Sequence, residues 1–175
     1  MRYEFAPPMA PTVEIDGVAT RFPVHRIYCV GRNYAAHARE MGMDPEREPP
    51  FFFSKPADAV IANGAAVPYP PRTSNLHHEI ELVVAIGEGG RDIPVGNALA
   101  HVFGYAVGND LTRRDLQFAA RENGQPWDVS KGLDHSAPVS AIRRVADVGH
   151  LSRGAIWIEV NGEPRQRADL CEMIW

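Results

Sequence analysis

Fifteen prolines and fifteen glycines interrupt a chain of 175 residues. Long helices tolerate few such breaks in their interiors, so a helical bundle is a poor fit. Short strands joined by many turns suit the chain better. With 45% apolar and 23% charged residues there is material for one domain with a sizeable core. A net charge of −4 offers no dominant basic surface, which argues against nucleic acid as a partner. Small anions stay open, because a few local cations can outweigh a weak overall charge. No 18-residue apolar run exists, so no membrane partner is expected. The prolines at 7, 8 and 11 stand where a secretory signal would need an apolar stretch. Two cysteines make no disulfide framework, and Cys29, inside Ile27-Tyr28-Cys29-Val30, reads as a small core residue. A cytoplasmic location follows from this usage.

Along the chain, residues 1–24 read as an extended N-terminal segment with a turn at Asp16-Gly17, and 25–175 as the main domain. Arg26–Val30 and Phe51–Phe53 are strand candidates, with a helix from Tyr34 to Met41 between them. Thr112 followed by Asp115 is a capping-box pattern, which predicts a helix to about Glu122. Trp127–Ser130 and Ala155–Val160 read as strands, the latter closed by Asn161-Gly162. Ala168–Trp175 has a helix-like pattern. Many strands with two or three short helices indicate a β-rich α+β class.

The chemistry lies in His77-His78-Glu79-Ile80-Glu81-Leu82-Val83-Val84-Ala85-Ile86. Alternation puts Ile80, Leu82, Val84 and Ile86 on one face, which reads as the core side. Glu79 and Glu81 share the other face, about 7 Å apart along the strand. Two such carboxylates are either solvated or held by a hard divalent cation. Asp110 ends a second apolar strand, Val102–Asn109, and is either a further ligand or a helix-start acid. Arg114 and Gln117 share a helix face, where Arg114 is either a bidentate carboxylate holder or a surface cation. His37 and Glu40, also three apart, are either an oriented general base for water or an exposed helix pair. Lys131 alone carries no signal.

Taken together, these segments resemble the fumarylacetoacetate hydrolase family. The matching stretches are Val30-Gly31-Arg32-Asn33-Tyr34-Ala35-Ala36-His37, Ser54-Lys55-Pro56, Asn75-Leu76-His77-His78-Glu79-Ile80-Glu81-Leu82, Asn109-Asp110-Leu111-Thr112-Arg113-Arg114-Asp115-Leu116-Gln117, Trp127 to Lys131 and Ser136-Ala137-Pro138-Val139-Ser140. The run Pro49 to Asp58 looks like the small acylpyruvate branch, in particular fumarylpyruvate hydrolases. The resemblance implies a mixed β-sandwich roll, a homodimer, and one Mg²⁺ or Mn²⁺ held by Glu79, Glu81 and Asp110. It implies that Lys131 neutralises the bound enolate, that Arg114 and Gln117 bind the pyruvate end of the substrate, and that His37 and Glu40 form a water-activating dyad on a short lid helix. The implied reaction is hydrolytic C–C cleavage of a small anionic 2,4-dioxo acid, in aromatic-compound catabolism. Oxaloacetate decarboxylation or dienoate isomerisation would use the same residues. The family pattern continues with closing strands and a Thr-Gly-Thr-Pro motif that are not found before Trp175, so the domain reads as C-terminally truncated. That leaves a rival of another class, an inactive metal-binding remnant or interaction module.

Overall fold

A computed structural model of the chain describes residues 2–34 and 49–175. His37 and Glu40 lie outside the described residues, as does most of the proposed lid helix. The strands in chain order are β1 (Thr12–Glu14), β2 (Arg21–Pro23), β3 (Ile27–Gly31), β4 (Phe51–Lys55), β5 (Val60–Ala62), β6 (Leu76–His77), β7 (Ile80–Ile86), β8 (Val102–Asn109) and β9 (Thr112–Arg113). Two helices follow, α1 (Arg114–Glu122) and α2 (Asp128–Lys131). Then come β10 (Ala137–Val139), β11 (Arg143–Arg144), α3 (Val145–Val148), β12 (Ala155–Val160) and β13 (Glu163–Asp169).

The central sheet is mixed. β8 pairs antiparallel with β7 along one edge, and with β10 and β11 in succession along the other, while β10 runs parallel to β5. β1 and β2 form a hairpin, β3 and β4 a ribbon, and β12 and β13 a hairpin with a bulge at Ile158/Glu159. This is the α+β roll the sequence indicates. The N-terminal hairpin is integral to the core. Val13 packs with Ala85, Ala106, Val139 and Ile142, and Phe22 and Val24 close over that cluster. Backbone bonds Ile142 N to Glu14 O (2.8 Å) and Asp16 N to Ile142 O (2.9 Å) fasten it to the sheet.

The structure corrects several expectations. The core face of β7 is the opposite one. Val84 and Ile86 are 44% and 55% exposed, whereas Ala85 is buried and Val83 packs on the core. Register explains the inversion: Ala85, Val83 and Glu81 face Gly104, Ala106 and Gly108 on β8. That run of small residues lets the β1–β2 hairpin and Ile142 approach closely. A methyl group on Gly104 would stand 2.4 Å from the Arg143 carbonyl oxygen. Trp127–Ser130 is not a strand, since Asp128–Lys131 is a single helical turn. Thr112 belongs to β9 and forms no capping box. Its hydroxyl donates to Asp110 O at 3.0 Å, and Asp115 instead accepts from Thr73 Oγ1 and Ser74 N. Ala168–Trp175 is not a helix. It is the end of β13, a 3₁₀ turn at Leu170–Glu172, and an extended tail bonded to Asn33 through Ile174 N and Trp175 N. No helix among the described residues is long and apolar enough to cross a membrane.

Candidate active site

Ladder geometry gathers the acids. Glu79 precedes β7 and Asp110 follows β8, and the Asp110 amide donates to Glu79 O at 2.8 Å, so the two strand ends stay in register. Two residues on, Glu81 lies opposite Gly108. All three carboxylates therefore project from one face of the β7–β8 pair.

Cations arrive from other elements. Lys131, the last residue of α2, is 1% exposed and places Nζ 2.6 Å from Glu79 Oε2 and 2.7 Å from Asp110 Oδ2. Lys55 ends β4. Alternation puts Phe51, Phe53 and Lys55 on the face that meets Trp127, so the lysine is carried inward by two aromatic rings. It is 4% exposed, with Nζ 2.8 Å from Asp110 Oδ1, and it donates to the carbonyls of Lys131 (2.6 Å) and Leu111 (3.0 Å). From the first turn of α1, Arg114 donates to Glu79 Oε1 and to Gln117 Oε1, and Gln117 is itself buried. The structure thus brings together Glu79, Glu81, Asp110, Arg114, Gln117 and Lys131.

Lys55 stands in the matching stretch Ser54-Lys55-Pro56, but the sequence assigned it no role. Its position two residues after Phe53, on the buried face of an aromatic strand, was the available signal. Cys29 and Tyr34 were also missed as neighbours of the site. Burial, and next the Asp110 charge, push the Cys29 thiol up to about 12. Tyr34 is raised by burial and then by Glu81, and its hydroxyl is buried without a hydrogen-bond partner among the described residues.

Charge is unevenly balanced across the cluster. Burial opposes ionisation of Glu79, but Lys131 and Arg114 outweigh it and hold the carboxyl below its usual range. Glu81 has no ion pair among the described residues. Burial first, then the Glu79 and Asp110 charges, push it up to about 8, against only a partial offset from Lys131. A divalent cation fits this donor set: three carboxylates are hard oxygen ligands, and one of them lacks a counter-charge. As arranged, however, no group of three or more acidic, histidine or cysteine side chains among the described residues is set to hold a metal ion. The Lys131 ammonium stands between two of the three acids instead.

Comparison with known proteins gives a consistent picture. The family described as Fumarylacetoacetate (FAA) hydrolase C-terminal matches residues 26–175. The chain is 42% identical over 133 residues to a fumarylpyruvate hydrolase of Ralstonia sp, covering 76% of this chain and 69% of the relative. It is 41% identical over 150 residues to a mitochondrial oxaloacetate tautomerase, FAHD1, of Arabidopsis thaliana, covering 86% of this chain and 67% of the relative. A crystal structure of fumarylpyruvate hydrolase from Pseudomonas aeruginosa, in complex with Mn²⁺ and pyruvate, superposes with a TM-score of 0.94 at 56% identity, covering 99% of this chain and 76% of that one.

Proposed function

Because the chain belongs to the fumarylacetoacetate hydrolase family, and is thereby an enzyme of the carbon–carbon hydrolase type that works with a divalent metal ion, we propose that it cleaves a 2,4-dioxo acid, with fumarylpyruvate as the preferred substrate, to pyruvate and a carboxylic acid. The observation that carries this reading is the buried Lys131 ammonium, fixed between Glu79 and Asp110. A cationic side chain in a buried site suits a reaction that expels a carbanionic leaving group. The manganese and pyruvate bound to the Pseudomonas enzyme support the same assignment.

Glu79, Glu81 and Asp110 would hold the metal, Mg²⁺ or Mn²⁺. A metal held there would supply Lewis-acid stabilisation of the negative charge that develops on the substrate. Arg114 presents a planar fork, and its partner Gln117 fixes the fork's direction, so this pair would bind and orient the substrate carboxylate. Lys131 would offset the negative charge that forms as the bond to the pyruvyl carbon breaks. Lys55 bonds two carbonyls and Asp110, and so holds Lys131 and Asp110 in place. His37, oriented by Glu40, would take a proton from water, whose oxygen attacks the 4-carbonyl carbon. The enzyme would act as a cytoplasmic homodimer in the breakdown of aromatic compounds.

A second reading has its own support. The tautomerase relative is about as similar to this chain as the Ralstonia hydrolase. Both reactions pass through the same enolate charge. An assay of fumarylpyruvate, acetylpyruvate and oxaloacetate with Mn²⁺ separates the readings. The expected result is fastest turnover of fumarylpyruvate; turnover of oxaloacetate alone would overturn the hydrolase assignment.

A further inference from the structure

Arg113 and Arg114 are consecutive, but they serve different surroundings. Arg114 reaches Glu79, while Arg113 lines a separate open cavity of about 500 Å³ together with Arg72, Leu116 and Val129. None of the residues of the carboxylate cluster lines it.

Two features of this cavity point to a ligand. Arg113 Nε is buried and has no hydrogen-bond partner among the described residues. Among the described residues its guanidinium makes a single hydrogen bond, a long one from a terminal nitrogen to Val129 O at 3.5 Å. A buried donor left without a partner is destabilising, so a native structure keeps one where something supplies an acceptor. The second feature is Arg72. No hydrogen bond or ion pair among the described residues involves its guanidinium. Its backbone is nonetheless fixed, at φ 62°. Asp115 accepts from Thr73 Oγ1 at 2.6 Å and from Ser74 N at 2.9 Å, which pins the turn that carries Arg72.

We propose that this cavity is a second anion site, taking a short aliphatic carboxylate. The carboxylate would be gripped by the Arg72 and Arg113 guanidinium groups, whose forks match it bidentately. Leu116 and Val129 would contact the hydrocarbon body. An apolar wall beside two cations favours an organic acid over a bare inorganic anion.

Titration calorimetry of the full chain with succinate tests this, with inorganic phosphate as the second probe. Wild type is expected to bind succinate. Arg72→Gln/Arg113→Gln should weaken that binding tenfold or more, the loss expected when charge-assisted bonds worth over 1.4 kcal/mol vanish. Arg72→Gln alone should weaken it measurably while leaving the fold intact, because the exposed Arg72 side chain makes no bond within the described chain. The succinate binding that Arg72→Gln/Arg113→Gln removes should persist in Arg114→Gln. Three results would overturn the proposal: no succinate binding to wild type, equal affinity in the double variant, or loss of affinity in Arg114→Gln equal to that in the double variant, which would put the anion in the carboxylate cluster. Phosphate binding tighter than succinate would overturn the assignment to carboxylates.

Discussion

Glu79 and Asp110 are tied together twice. The Asp110 amide donates to the Glu79 carbonyl at 2.8 Å, and Lys131 Nζ lies 2.6 Å from one carboxylate and 2.7 Å from the other. The first link is a backbone ladder bond that any sequence in this register would make. The second depends on a single side chain, and it sets how like charges are kept side by side away from water.

Removing that side chain should therefore act mainly through charge. In Lys131→Met, Glu79 keeps Arg114 and Asp110 keeps Lys55, but each loses its shared ammonium. Breaking a buried pair in this way costs about 3 kcal/mol at a pH where both acids are ionised. Loss of the cation raises the folded-state pKa of both acids, so the variant should regain stability as pH falls and the acids protonate. Urea unfolding of wild type and variant at pH 5 and pH 8 measures this. The deficit should be larger at pH 8, and a deficit independent of pH would show that the loss is one of packing.

Glu81 gives a second dependence on pH, in the metal-free protein. Its folded carboxyl is raised from 4.5 to about 8, so between those values the folded state binds a proton that the unfolded state has released. Stability is then fully present below the lower value and falls as pH rises toward the upper one, with a slope of at most about 1.4 kcal/mol per pH unit for one proton. Thermal melting in chelator from pH 5 to 8.5 should show the decline, and Glu81→Gln should flatten it. A metal bound through Glu81 must displace the same proton. Mn²⁺ affinity should accordingly rise across this range in wild type, with proton release detectable as a buffer-dependent heat. Unchanged affinity in Glu81→Gln would remove Glu81 from the ligand set.

Gly104 checks the close approach that defines the core face. A methyl group there would meet the Arg143 carbonyl oxygen at 2.4 Å and Ile142 Cγ2 at 2.7 Å. Backbone cannot swing aside as a side chain does, so Gly104→Ala should destabilise by about 3 kcal/mol, the upper part of the range for overpacking. Chemical denaturation at pH 7 reads the value. A loss under 0.5 kcal/mol would mean that β11 and β8 separate easily.

These elements also show what the sequence made legible. The strand at Ile80–Ile86, the Asn161-Gly162 hairpin and the shared face of Glu79 and Glu81 follow from period-two alternation and turn chemistry, whereas the joining of Asp110 to them was implied only by the family resemblance. The choice of core face did not follow either, because alternation separates two faces without saying which is buried. Large residues at Ile80, Leu82, Val84 and Ile86 suggested one answer, while the small residues of β8 created the other. The role of Lys55, and the burial of Lys131 that only the resemblance had marked, lay beyond alternation for a related reason. A lysine in sequence reads as surface, and only tertiary packing against Phe53, Trp127 and Asp110 makes these two interior. The helical turn at Asp128–Lys131 is too short for periodicity to distinguish from a strand.

The last expectation concerns the general base. If His37 takes the proton from water and Glu40 orients it, His37→Ala should lower the rate of acylpyruvate hydrolysis by about 10²–10⁴-fold, the usual contribution of general base catalysis. Mn²⁺ affinity should change far less, since the carboxylates that would bind it come from β7 and the β8 terminus. Glu40→Gln should be milder, because the imidazole remains and loses only its orienting charge. Hydrolysis should also fall with decreasing pH as the imidazole is protonated. Decarboxylation of oxaloacetate needs no attack by water, so any such activity should survive His37→Ala better than hydrolysis does. Measuring both reactions on one preparation of each variant separates a damaged site from a missing base. Parallel loss of the two activities would point to a general disturbance of the site. Wild-type hydrolysis in His37→Ala would reduce the dyad to an ordinary helix pair.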